Sequence, residues 1–155
     1  MPDLKISELT AATNITGAEF EIIQSGSNKR AAATLFTTGS VTFVIDGGGS
    51  VITTGEKGDI TIPFACTINE WTLLADQSGS IVVDVWKDTY ANYPPTVADT
   101  ITASAKPTIS ATTKGQSSTL TGWTTSISAG DILAFNVDSI STIQRVTLSL
   151  NVTRT

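Results

Sequence analysis

Thr67-Ile68-Asn69-Glu70-Trp71-Thr72-Leu73-Leu74-Ala75, then Asp76-Gln77-Ser78-Gly79, then Ser80-Ile81-Val82-Val83-Asp84-Val85-Trp86-Lys87 places two apolar segments around four turn-forming residues. β-Branched and aromatic side chains crowd both segments, as they do in strands. Asp, Ser and Gly between them carry turn chemistry, so the stretch predicts a β-hairpin. Asp84 is the one acid inside its segment, and in an alternating strand it faces solvent or pairs with a neighbour.

Working outward, the same grammar repeats. Val41-Thr42-Phe43-Val44-Ile45-Asp46 runs into Gly47-Gly48-Gly49 and then Ser50-Val51-Ile52-Thr53-Thr54. The glycines read as a hairpin turn that needs positive φ. Gly55-Glu56-Lys57-Gly58 reads as another turn, before Asp59-Ile60-Thr61-Ile62-Pro63 alternates with period two. A long connection follows from Asp88 to about Thr100, then a weak segment at Thr119–Thr124. Asp131-Ile132-Leu133-Ala134-Phe135-Asn136-Val137 and Arg145-Val146-Thr147-Leu148-Ser149-Leu150-Asn151-Val152 close the chain. The last alternates cleanly, one face for a core and one for water. Short strands with turns roughly every 8–12 residues predict an all-β, antiparallel β-sandwich or jelly roll.

Composition agrees. The 155 residues are 40% hydrophobic and 15% charged, and 27 Thr with 16 Ser supply much of the polarity. Threonine suits a pleated, half-exposed surface better than a helix. A net charge of −5, with nine Lys and Arg spread along the chain, argues against a nucleic-acid partner. No apolar run approaches the ~20 residues of a membrane-spanning helix, and Met1-Pro2-Asp3-Leu4-Lys5 opens no signal peptide. The expectation is a protein made in a cytoplasm, without membrane insertion. Cys66, the single cysteine, sits in Ile62-Pro63-Phe64-Ala65-Cys66-Thr67-Ile68 and is expected in the core.

The chain has no histidine. Ser-His-Asp and Cys-His catalysis need an imidazole, and zinc sites of Cys and His need both ligands. The glycines at 47–49 lack the Gly-Lys-Ser/Thr ending of a phosphate loop. Asp84 and Asp88, either side of Trp86, have no spacing that argues for a hydrolytic pair. Asp46 and Asp59 lack the density of a calcium loop. The reading is of a non-enzyme with no cofactor and no metal.

Residues 1–38 differ from the rest. They contain no Trp, Tyr or Cys and only nine Leu, Ile and Phe side chains. Glu19-Phe20-Glu21-Ile22-Ile23-Gln24 and Arg30-Ala31-Ala32-Ala33-Thr34-Leu35-Phe36 flank Ser25-Gly26-Ser27-Asn28, which predicts a hairpin. A segment this short seldom buries a core alone, since chains under ~40 residues usually need a staple or a partner. It is therefore expected to assemble with copies of itself or to dock, through Ile6, Leu9, Ile15, Phe20, Ile22, Ile23, Leu35 and Phe36. The sandwich is expected over residues 39–155.

One surface candidate stands out, Trp86-Lys87-Asp88-Thr89-Tyr90-Ala91-Asn92-Tyr93-Pro94-Pro95. Trp86, Tyr90, Asn92 and Tyr93 offer rings to stack on a sugar and an amide to hydrogen-bond it. The competing reading is a proline-stiffened crossover whose rings cover one end of the sandwich.

Ile6-Ser7-Glu8-Leu9-Thr10-Ala11-Ala12-Thr13-Asn14-Ile15-Thr16-Gly17-Ala18-Glu19-Phe20, with Gln24-Ser25-Gly26 and Lys29-Arg30, resembles an N-terminal module of tailed-phage tail and fibre proteins. Thr10 stands where proline is common, and Ala31 to Ala33 stand where β-branched residues are common. The remainder is similar to C-terminal domains of phage structural proteins, through Val41–Gly49, Leu74–Ser80, Trp86–Asn92 and Leu120–Thr124. The resemblance implies a homotrimeric virion fibre or appendage, anchored by its N-terminus to tail or capsid proteins and exposing the C-terminal domain. A host-surface glycan is the outward partner expected from Trp86, Tyr90, Asn92 and Tyr93. Two alternatives are a capsid decoration or cement protein and a carbohydrate-binding module.

Overall fold

The structure, a computed structural model, describes the backbone of residues 19–24 and 27–32 and the whole of residues 37–155. The chain divides into two compact units, Met1–Thr37 and Thr38–Thr155. In the first, β1 (Glu19–Gln24) pairs antiparallel with β2 (Ser27–Ala32). Ser27 is paired with Gln24, so Ser27 and Asn28 belong to the strand and not to the expected turn. Two residues are the commonest hairpin connection. Phe20, Ile22 and Ile23 lie on β1, opposite Ala31, Lys29 and Asn28. Ile6, Leu9, Ile15, Leu35 and Phe36 lie outside the described residues.

The second unit is all-β, as expected, and has a sandwich-like form. Its strands are β3 (Thr38–Asp46), β4 (Gly55–Thr61), β5 (Cys66–Asp88), β6 (Thr108–Ser117), β7 (Ser126–Ile127), β8 (Ile132–Ser141) and β9 (Arg145–Arg154). They form one antiparallel sheet in the order β3-β9-β5-β8-β4, with β6 and β7 also paired to β5.

The 23-residue β5 corrects the hairpin expected at its centre. Its first half, Cys66–Ala75, pairs with β9, and its second half, Ser80–Asp88, pairs with β8. One strand thus serves both layers, and Asp76-Gln77-Ser78-Gly79 is where it crosses between them. Turn residues suit a bend for the same reasons that they suit a turn. Asp76 Oδ1 accepts from the Gln144 and Arg145 amides at 3.2 and 3.1 Å, and the Gln77 amide donates to the Thr142 carbonyl. A Cβ on Gly79 would collide with the Ser141 carbonyl, so only glycine permits this approach. β6 runs beside the crossing and spans both layers too.

Other expectations are corrected with it. β3 finds its partner in β9, so Gly47–Gly49 starts a loop and not a hairpin. Ile52, in that loop, is buried and donates its amide to the Ile143 carbonyl at 3.0 Å. Gly55 and Gly58 lie inside β4, which bulges between Glu56 and Gly58. Residues 119–124 form no strand, and Trp123 is buried there with Nε1 donating to the Ala105 carbonyl at 2.9 Å.

The two layers close over one core. Phe43 of β3 stacks on Phe135 of β8 with centroids 4.3 Å apart. Leu73, Ile81, Val83, Val85, Leu148 and Leu150 are fully buried around them. Each such side chain stabilises the fold by roughly 1.5–3 kcal/mol. β9 alternates as expected, with Val146, Leu148, Leu150 and Val152 inward. Cys66 is buried as expected, and burial pushes its thiol pKa up against a lowering by Arg154.

Candidate functional site: the Asp88–Pro107 connection

The connection from β5 to β6 is irregular, yet hydrogen-bonded at nearly every bend. Asp88 Oδ1 accepts from the Thr89 amide at 2.7 Å and from Asn92 Nδ2 at 3.0 Å. These bonds hold the Asp88 carboxyl below its ordinary pKa, the Asn92 amide contributing most. They also start a 3-10 turn over Tyr90–Asn92. The Tyr93–Pro94 peptide is cis. A second 3-10 turn, Val97–Asp99, opens on a capping box. Asp99 Oδ2 accepts from the amide and the hydroxyl of Thr96, each at 2.8 Å, and the Thr96 hydroxyl accepts from the Ala98 amide.

Beneath the connection lies a buried carboxylate. Asp84 is fully buried, which corrects the solvent-facing half of the expectation for it and bears out the pairing half. Its Oδ1 accepts from the hydroxyls of Thr100 and Thr102, both at 2.6 Å. Lys106 Nζ lies 2.9 Å from Asp84 Oδ2 and 2.6 Å from Asp138 Oδ2. Burial pushes the Asp84 pKa up, but Lys106, Thr100, Thr102 and Trp86 outweigh it and hold the carboxyl below its ordinary value. The ammonium at Oδ2 acts through charge and proximity, since neither Oδ2 nor the buried Trp86 Nε1 completes a well-angled hydrogen bond. Burial pulls the Lys106 pKa down, and Asp138 and Asp84 more than reverse this. Backbone bonds complete the clamp: Ile101 N to Val85 O, and Val83 N to Pro107 O, each 2.9 Å.

On this base the connection presents apolar side chains to water. Tyr90 is 84% exposed, Val97 67% and Tyr93 52%. The Tyr93 hydroxyl donates to Asp59 Oδ2 on β4 at 2.9 Å. That bond raises the Tyr93 pKa, and the charge of Asp59 adds to it. Glu56 is raised as well, first by burial and then by Asp59.

The structure thus brings Tyr90, Asn92 and Tyr93 together on one short turn. It separates Trp86 from them in kind: the indole is half-buried on β5, its Nε1 is enclosed, and its backbone bridges to Thr100. Asn92 has given an amide hydrogen to Asp88, so its role is as much bracing as recognition. Val97, Asp59 and the Asp84 network escaped sequence reasoning. The signal for the last was an acid embedded in Ile81-Val82-Val83-Asp84-Val85-Trp86. An ionised side chain in such a run needs a buried partner.

The arrangement has the chemistry of a contact surface: rigid rings, a carbonyl-bearing amide and carboxylates at the margin. Among the described residues, no three His, Cys, Asp or Glu side chains are grouped to hold a metal ion. No family model, no curated protein and no solved structure matches this chain.

Proposed function

We propose that this chain is a non-enzymatic structural protein of a tailed-phage particle, a homotrimeric fibre or appendage that attaches to a host-surface glycan. Residues 1–38 assemble and anchor it, and the sandwich is the exposed knob. The observation that carries the attachment role is the Asp88–Pro107 connection. It holds Tyr90, Tyr93 and Val97 in water on a backbone braced at both 3-10 turns and over a buried carboxylate. Exposed apolar side chains on a stiffened loop lose little freedom when a ligand covers them. Tyrosine faces stack on the C–H faces of a sugar, and the Asn92 carbonyl accepts from its hydroxyls. The phage assignment rests on the likeness of Ile6–Phe20 and of the later segments to phage proteins.

Three measurements test the reading. The full chain should have a solution mass about three times 16.2 kDa, and a chain beginning at Gly39 should be monomeric. A truncated chain that stays trimeric refutes anchoring by residues 1–38. In a whole-cell or glycan-array assay, Tyr90→Ala should weaken binding about tenfold or more with an unchanged melting temperature. Binding equal to wild type removes the connection as the attachment site. Electron microscopy that finds the protein in high copy over the head would replace a fibre by a decoration protein.

A further inference from the structure

The outward face of β3, β9, β5 and β6 has a composition that its neighbours lack. The register sets its side chains in rows across the strands. Ser40, Asn151 and Glu70 form one row, Thr42, Ser149, Thr72 and Gln116 the next, and Val44, Thr147, Leu74 and Lys114 the third. The second unit has ten acidic and six basic residues, but these three rows carry one of each, Glu70 and Lys114. An ion-pair row, Asp46 with Arg145 at 3.9 Å, lies at the margin.

Within the rows some of the polar groups satisfy one another. Ser40, Thr42 and Ser149 hydroxyls link at 3.1 and 3.2 Å, and Gln116 Nε2 donates to Glu70 Oε1 at 2.8 Å. Lys114 has no ion-pair partner among the described residues. Val44 and Leu74 are 51% and 54% exposed in the same row. Two shallow hollows of about 400 and 310 Å³ lie on the face and share Thr72. Scarcity of charge at the centre is one feature that this face shares with protein interfaces.

We infer that this face packs against a second copy of the chain, with Glu70 of one copy opposite Lys114 of the next. The charges argue for that occupant. One acid and one base on a nearly neutral patch complement the same patch on another copy and leave no charge unpaired. A strongly charged or strongly apolar partner finds no match there. Four strands about 4.8 Å apart and three rows about 7 Å apart give roughly 400 Å² per copy. Stable complexes bury about 800 Å² a side, so the contact is weak between free molecules. It becomes effective between copies already tethered, where the local concentration reaches the millimolar range. To that extent it rests on the proposed assembly through residues 1–38. It is independent of the glycan, since the Asp88–Pro107 connection lies outside these rows.

The test is zero-length carbodiimide crosslinking of full-length light and ¹⁵N-labelled chains, refolded together and read by mass spectrometry. A mixed-isotope peptide pair joining Glu70 to Lys114 is the expected product. Thr72→Arg puts bulk at the centre and leaves both reacting groups in place. It should cut the yield of that pair about tenfold while the thermal transition stays that of wild type. A link at micromolar protein supports both the face and the tether. A link only at millimolar protein supports the face and refutes the tether. No mixed-isotope link at either concentration, or an undiminished yield with Thr72→Arg, overturns the inference.

Discussion

Along the first half of β5, Trp71 and Leu73 enter the core while Glu70, Thr72 and Leu74 meet water. Along the second half, Ile81, Val83 and Val85 enter the same core, but Asp84 on the other side is equally buried. The cover comes from the Asp88–Pro107 connection, which brings Thr100, Thr102 and Lys106 onto that face. One strand therefore has an open polar side at one end and a closed, ionic one at the other. The contrast teaches that alternation reports a strand's two faces and says nothing about what later covers them.

Breaking the closed side should have the largest effect. Asp84→Ala strips two hydroxyls and an ammonium of their shared acceptor, and removing one partner of a buried ion pair costs about 3–5 kcal/mol. Chemical denaturation should show a loss near the lower value, because Lys106 keeps Asp138. The crossing between the halves comes next. Gly79→Ala drives a Cβ into the Ser141 carbonyl and Ile143, and overpacking of this kind costs about 1–3 kcal/mol.

A smaller effect sharpens the comparison through pH. The folded Asp84 pKa is lowered, so its stabilisation is complete above the ordinary carboxylate value of about 4. It is lost as pH falls through the lowered folded value. The folded Lys106 pKa is raised, so its share is complete below about pH 10.4 and is lost as pH rises through the raised value. Denaturant midpoints should fall on the acid side for the wild type, and Asp84→Asn should flatten that limb. An unchanged acid limb in Asp84→Asn would show that other carboxylates govern it. The smallest effect belongs to the open side: Glu70→Ala should change stability by no more than about 0.5 kcal/mol. A loss from Glu70→Ala as large as that from Asp84→Ala would dissolve the distinction between the halves.

Much of the fold was legible in the residues. β8 and β9 carry their pattern openly, and the apolar core residues of β3 and β5 stand at period two. What misled was chemistry shared by turns and bends. Asp76-Gln77-Ser78-Gly79 reads as a reversal, and only the partners at 141–145 reveal a strand that continues. β6 was missed because Thr108–Ser117 buries only Ile109 among its apolar side chains and is otherwise hydroxyls, Lys, Gly and Gln. At the candidate site, Tyr90 and Tyr93 were found from their setting among prolines and amides. The Asp84 network was not, since Thr100, Thr102 and Lys106 lie 16 or more residues along the chain and pairing is a property of the fold.

The register of β3 with β9 has a mechanical meaning. Thr38 pairs with Thr153 and Asp46 with Arg145, so the sandwich begins and finishes at the same end of two adjacent strands. A pull on Thr38 along the strand, resisted by a load on the far side of the sandwich, slides β3 past β9 and strains every rung of the ladder together. A pull that separates Thr38 from Thr153 opens the same rungs one after another, as a zipper does. The sandwich therefore resists tension delivered from residues 1–37 against a held surface far better than tension between its own two ends.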